Sequence, residues 1–194
     1  MKLFFSLVCA FSFFCVQAQK SSDQDKKPSD LDNSPMDMSY WPINYPLLKM
    51  RGQAKSMPVA RIIYGRPIKN GRVIFGNLQK YGELWRLGAN ESTEIEFFSN
   101  VKIGGRQINK GRYTMYCIPY ENKWTLIING NNYTWGHFKY DSKKDIVRKD
   151  VDLDRSTETI EALYMYFDET RTGANLIILW DDLKASLPIT LINK

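Results

Sequence analysis

From Val59 onward apolar and polar positions alternate with a period of two, and turn residues return at short intervals. That is the pattern of strands with one buried face. Residues 59–64 read as a first strand ending at Gly65-Arg66-Pro67, and the turn dipeptide Asn70-Gly71 leads into a second over 72–75. Leu78, Tyr81 and Trp85 recur at helical spacing, so 77–85 reads as one helical turn or a loop. Thr93, Ile95 and Phe97 alternate with Glu94, Glu96 and Phe98, and residues 101–103 and 106–108 flank Gly104-Gly105 as a small hairpin. Tyr113, Met115 and Cys117, then Trp124, Leu126 and Ile128, mark two further strands. Val147, Val151 and Leu153 share a face opposite Arg148, Asp150, Asp152 and Asp154.

Residues 159–167 fit two templates, because Ile160, Leu163, Tyr164 and Phe167 also fall at helical offsets. The segment is short, ends in the turn 168–173 and runs straight into the β-rich 176–180, so a hairpin suits the lengths better. Residues 187–192 close the chain as a final strand, and 129–145 is a long polar loop studded with Tyr133, Trp135, His137, Phe138 and Tyr140. The expectation is an all-β fold, a β-sandwich of roughly nine short antiparallel strands, with a flattened barrel as the alternative. No internal repeat is visible, which argues against propellers and solenoids.

The N-terminal part is patterned differently. Lys2, an apolar run over 3–16 and the small-residue site Val16-Gln17-Ala18 read as a signal peptide, residues 1–18, too short for a membrane span. Residues 19–57 read as a disordered or extended linker, with 40–48 laid across the surface because Pro42 and Pro46 oppose regular structure while Tyr40, Trp41 and Tyr45 seek burial. Residues 58–194 are then a single domain. Cys9 and Cys15 leave with the signal, so only Cys117 remains and no intramolecular disulfide forms. An exported domain held by its core alone points to the periplasm or cell surface of a Gram-negative bacterium, with no transmembrane segment once the signal is removed.

Charge adds one feature. The chain carries +6 with a pI near 9.1, and residues 38–82 hold no acid but Lys49, Arg51, Lys55, Arg61, Arg66, Lys69, Arg72 and Lys80. Such a segment draws anionic partners. Export makes nucleic acid an unsuitable partner and leaves a polar or anionic glycan, or another envelope component.

Most catalytic chemistries lack their residues. With His137 as the only histidine, imidazole-based metal sites are not expected. Cys117 alternates with Tyr113 and Met115 as a buried, inert thiol, and no G-x-S-x-G elbow is present. The acidic run Asp150, Asp152, Asp154, Glu158 and Glu161 has calcium-loop offsets, but Arg155 stands where that loop needs glycine. No cofactor and no metal are expected.

The candidate site lies in residues 64–91, densest in glycine, arginine and aromatics, with Arg86, Asn90 and Glu91 close together. Arg66, Arg86, Asn90 and Glu91, with Trp135, Tyr140 and Asp141 of the aromatic loop and Arg148 just after it, are the candidate binding residues for a cleft where rings meet sugar faces and polar groups meet hydroxyls. Two other classes compete: a structural or assembly role, and a glycoside hydrolase using Glu91 and Asp141 as paired carboxylates. Beside Trp85 and Leu87, the Arg86 guanidinium is expected to need a carboxylate, Glu91 or Asp141, unless it awaits an anionic ligand.

The runs Tyr64-Gly65-Arg66-Pro67, Gly71-Arg72-Val73-Ile74-Phe75-Gly76 and Tyr81-Gly82-Glu83-Leu84-Trp85-Arg86-Leu87-Gly88-Ala89-Asn90-Glu91, followed by Val101-Lys102-Ile103-Gly104-Gly105, form an extended pattern. Trp135-Gly136, Tyr140-Asp141 and Arg148 complete it. The pattern resembles the exported bacterial family called domain of unknown function 2911, common in Bacteroidetes, over most of the chain after about Val59. The resemblance implies export and a β-rich fold and no activity; Leu87 and His137 depart from the family pattern.

Overall fold

In a computed structural model the chain is described over residues 32–192. The expected signal peptide, 1–18, and residues 19–31 of the expected linker lie outside the described residues. The strands are β1 (Met36–Trp41), β2 (Ala60–Gly65), β3 (Glu94–Phe97), β4 (Val101–Ile103), β5 (Arg106–Ile108), β6 (Gly111–Pro119), β7 (Lys123–Asn129), β8 (Asp145–Thr170) and β9 (Gly173–Leu191). They form one antiparallel sheet of nine strands in the order β1-β2-β3-β6-β7-β8-β9-β4-β5. The fold is all-β, as the alternation implies. The sheet is not closed into a barrel: β1 and β5 stand at the two ends of the order.

β8 makes the layered arrangement possible. Its first part pairs with β7, from Lys123↔Asp152 to Asn129↔Asp145, and the rest pairs with β9, from Leu153↔Ala185 to Thr170↔Gly173. The register slips between Arg155 and Ile160 and again before Tyr164, opposite Asp181, whose φ is 57°. Bulges of this kind bend a strand and sharpen its twist. The sandwich expected from the pattern is therefore one sheet folded over a shared core, not two separate sheets. Residues 147–154 and 159–167, expected as two strands, are one, because 155–158 contains no Gly or Pro to end it. Likewise 176–180 and the expected final strand 187–192 run together in β9, which ends at Leu191, and 181–186 between them contains neither Gly nor Pro.

The core joins the two arms. Trp85 stacks on Trp180 at 5.7 Å and meets Trp124 edge-on at 5.9 Å, while Phe75 lies 5.0 Å from Trp124. Trp41 of β1 stacks on Phe167 of β8 at 6.1 Å. Around these rings Ile62, Ile95, Met115, Leu126, Leu163 and Ile178 are fully buried. Offset and edge-on ring pairs add to the area term that drives such burial.

Two expectations need correction. Residues 36–50, within the span 19–57 expected as a disordered or extended linker, belong to the folded body: β1 pairs residue by residue with β2 from Met36↔Gly65 to Trp41↔Ala60, and Trp41, expected on a segment lying across the surface, is 3% exposed. A short helix, α1 (Tyr45–Met50), follows, with Pro46 in its first turn, where a missing N–H costs nothing. Residues 72–75 are not a strand of the sheet; Phe75 makes an isolated bridge with Gln79, and the buried Ile74 is tied to the same turn by its carbonyl, which accepts from Gln79 N at 2.8 Å. Among the described residues no helix is long and apolar enough to cross a membrane.

Candidate functional site

The stretch 85–93 threads from the core to the surface. Trp85 exchanges both backbone hydrogen bonds with Cys117, at 2.7 and 2.8 Å, and its indole Nε1 donates to Gly88 O at 3.1 Å. Leu87 turns at φ 56°, an uncommon conformation for a branched residue, with its carbonyl accepting from Thr93 Oγ1 at 2.7 Å. Gly88 and Ala89 then pass directly against Gly65: a Cβ on Gly65 would fall inside the Ala89 carbonyl, and one on Gly88 would come within 3.0 Å of Gly65 O. This backbone contact is why glycine stands at both positions.

The aromatic loop is stitched to that stretch. Gly136 N donates to Asn90 O and Ser92 N to Thr134 O, each at 3.0 Å, and Glu91 faces Trp135 in an isolated antiparallel bridge. Beneath them a hydroxyl chain runs from Tyr116 through Thr134 (3.1 Å) to Ser92 (2.9 Å), and Ser92 donates on to Gly136 O. The pairing leaves a groove of ≈ 410 Å³. Its apolar walls are Met36, Ile63, Tyr133 and Trp135, and its polar groups are Glu91, Ser92, Glu94 and Thr134. Trp135 is 59% and Tyr133 79% exposed, whereas Trp41, Trp85, Trp124 and Trp180 are all buried. Glu94 is engaged: its Oε1 accepts from Tyr133 N at 3.1 Å and its Oε2 lies 3.7 Å from Arg112, whose guanidinium covers the Tyr133 ring at 5.4 Å. Glu91 forms no ion pair among the described residues.

The sequence-derived candidates separate into distinct places. Glu91 and Trp135 line the groove. Asn90 supports it from behind, its carbonyl tied to Gly136 and its Nδ2 donating to Asp32 at 2.9 Å. Tyr140 and Arg148 form a compact cluster on Asp145: Tyr140 OH and Arg148 Nε donate to Asp145 Oδ2 at 2.6 and 2.7 Å, Arg148 Nη2 donates to Tyr140 OH at 2.7 Å, and Asn129 Nδ2 holds Oδ1. Burial and the Asp145 carboxylate push the Tyr140 phenol up to about 12. The cluster closes the far end of the loop.

Asp141 caps the short turn Ser142–Lys144, its side chain accepting from Lys143 N at 3.0 Å. Arg66 clamps β2 to β8 and β1, with Nε donating to Leu163 O at 2.9 Å, Nη1 3.4 Å from Asp37, and the Tyr164 ring 5.2 Å away.

Arg86 meets neither Glu91 nor Asp141. It is half-buried, its Nε has no partner among the described residues, and burial lowers its pKa below the usual arginine value. Nor is it among the groove's lining residues. Cys117 is fully buried, with its thiol pushed well up by desolvation. Among the described residues no group of three or more His, Cys, Asp or Glu is placed to hold a metal.

Glu94, Ile63 and Met36 belong to the groove and were not singled out from the sequence. For the first two a signal exists: each alternates with a core residue on its strand and so faces outward, Glu94 beside Ile95 and Ile63 beside Ile62. Met36 sits in the segment read as linker. No curated protein and no solved structure matches the chain. The model of the family described as Protein of unknown function (DUF2911) matches residues 49–189, from α1 almost to the end of β9, and the chain belongs to that family.

Proposed function

We propose that this chain is an exported, noncatalytic binding module of the envelope of a Gram-negative bacterium, and that the groove beside Glu91 and Trp135 takes a polar, glycan-like ligand. Trp135 carries the reading. Its ring stands more than half in solvent on a backbone pinned by the Glu91 bridge and the Gly136–Asn90 hydrogen bond. Burial in the fold gives no reason to hold an indole in water, whereas a fixed aromatic face beside carboxylate and hydroxyl groups suits a sugar's apolar face and polar rim. Export is supported by the leader pattern of residues 1–18.

Binding is favoured over hydrolysis because glycoside hydrolysis needs two working carboxyl groups. Glu94 is held by Tyr133 and Arg112, and Asp141 caps a turn, which leaves Glu91.

The test uses indole emission, since the other four tryptophans are buried. Titration with a panel of envelope-type oligosaccharides is expected to give a saturable change for the native chain, with Trp135→Ala weakening binding about tenfold or more. No saturable response from any glycan, or an equal affinity for Trp135→Ala by calorimetry, overturns the reading. Release of shortened oligosaccharides would restore the hydrolase.

A further inference from the structure

The groove's charge runs against that of the chain. Within a protein of net charge +6, its lining includes two carboxylates and neither lysine nor arginine. The basic residues between 38 and 82, expected to draw anions, contribute nothing to it; from that span only Ile63 lines the groove. We infer that the ligand is an amine-bearing glycan, an oligosaccharide whose free ammonium group is bound by Glu91 while a sugar face rests on Trp135. The inference rests on the groove reading above and names the ligand class for it.

The geometry selects these two side chains. Glu91 and Trp135 are directly opposed in an antiparallel bridge, so they project from the same face with Cβ atoms about 5 Å apart, within reach of one sugar residue. Their neighbours are already occupied. Arg112 lies over one face of Tyr133 and beside Glu94, providing from within the protein the kind of cation that aromatic and acidic groups bind. No arginine or lysine covers Trp135, and none pairs with Glu91, among the described residues.

A carboxylate without a countercharge repels uronic acids and phosphorylated sugars and binds an ammonium by a charge-assisted hydrogen bond. An N-acetyl group in the same place forfeits that charge. The indole adds attraction for a cation near its face.

The experiment compares a fully deacetylated glucosamine tetramer, its fully N-acetylated counterpart and a galacturonic acid tetramer. Calorimetry is run on the full chain at about pH 6, where the amine is protonated. The free-amine tetramer is expected to bind about tenfold tighter than the acetylated one and the uronic acid not measurably. Glu91→Gln, at an exposed position whose unchanged melting curve reports intact folding, is expected to erase the tenfold difference between the two amino-sugar tetramers and to flatten the salt dependence of free-amine binding. Equal affinity for the two amino-sugar tetramers, or a Glu91→Gln variant that keeps the preference, overturns the amine inference while leaving the groove as a glycan site. Absence of binding by any glycan, with Trp135→Ala indistinguishable from the native chain, removes the groove reading itself.

Discussion

Arg86 brings a charge into a half-buried position where no carboxylate of the described residues meets it, and this decides how its substitution should behave. Removing one member of a buried ion pair costs about 3 to 5 kcal/mol, most of it from the charge left behind. Arg86 leaves no such orphan. Arg86→Met keeps a straight chain of similar reach, removes the unpartnered Nε and its desolvation, and is expected to change stability by less than about 1 kcal/mol in urea unfolding. A loss of several kcal/mol would mean that an acid does depend on it.

The neighbours Trp85 and Leu87 are legible in the sequence as apolar, and burial of Arg86 follows from them. Its lack of a partner does not. Leu87 and Asn90 both take left-handed backbone angles, so alternation ceases to report side-chain direction between 86 and 91, and nearness in sequence no longer means contact. Glu91 and Trp135 were recognisable for a different reason: an acid in a glycine-bracketed stretch and an aromatic in a polar loop stand out by residue type, whatever the geometry. Tyr140, Asp141 and Arg148 have the same types and serve the loop's own hydrogen bonds, a distinction that residue type does not carry.

At the scale of elements, the site depends on how closely β2 approaches the 85–93 stretch. Gly65 ends β2, and its missing side chain is what allows the Ala89 carbonyl to lie against the strand. Both contacting groups are backbone, fixed on one side by pairing with β1 and on the other by the Thr93 and Trp85 hydrogen bonds. Gly65→Ala is therefore expected to cost about 2 to 3 kcal/mol, by overpacking that neither side can relax, and to weaken the groove by displacing Asn90 and Glu91. Gly71→Ala is the control: it has φ 68° but open space around it, so about 1 kcal/mol of backbone strain is expected with ligand binding intact. Equal losses at the two sites in thermal melts would mean that the Gly65 contact is not tight.

The elements themselves were readable wherever strict alternation ran between turn residues, as in β3, β6 and β7. Their joining was not. β8 and β9 continue through polar stretches that look like boundaries because each strand changes partner or bends there, and pairing partners are a long-range property.

At the scale of the molecule, β1 poses the sharpest question, because it lies before the residues matched by the family model and yet sits within the sheet. A chain starting at Lys49 would keep all of the matched span and lose every contact that β1 makes. Trp41 would leave the face of Phe167. The buried Tyr64 hydroxyl would lose its acceptor Asp37, though it would still accept from Met165 N at 2.9 Å. Arg66 would lose the same carboxylate, and β2 would become an edge whose Ala60, Ile62 and Tyr64 are now fully buried. Truncating a buried tryptophan costs about 3 to 5 kcal/mol by itself, a large share of the 5 to 15 kcal/mol that holds a typical domain. The shortened chain is thus expected to melt roughly 10 to 20 °C lower, or not to fold. A chain starting at Asp32 retains β1, the Pro35–Arg66 hydrogen bond and the Asp32 contact to Asn90, and is expected to melt with a chain starting at Gln19, since residues 19–31 carry too little apolar surface to join a core. Calorimetry of the three chains separates the cases. If the Lys49 chain melts with the others, β1 is an accessory strand and the Met36 wall of the groove is dispensable; if only the Gln19 chain keeps its melting temperature, residues before 32 dock on the sheet.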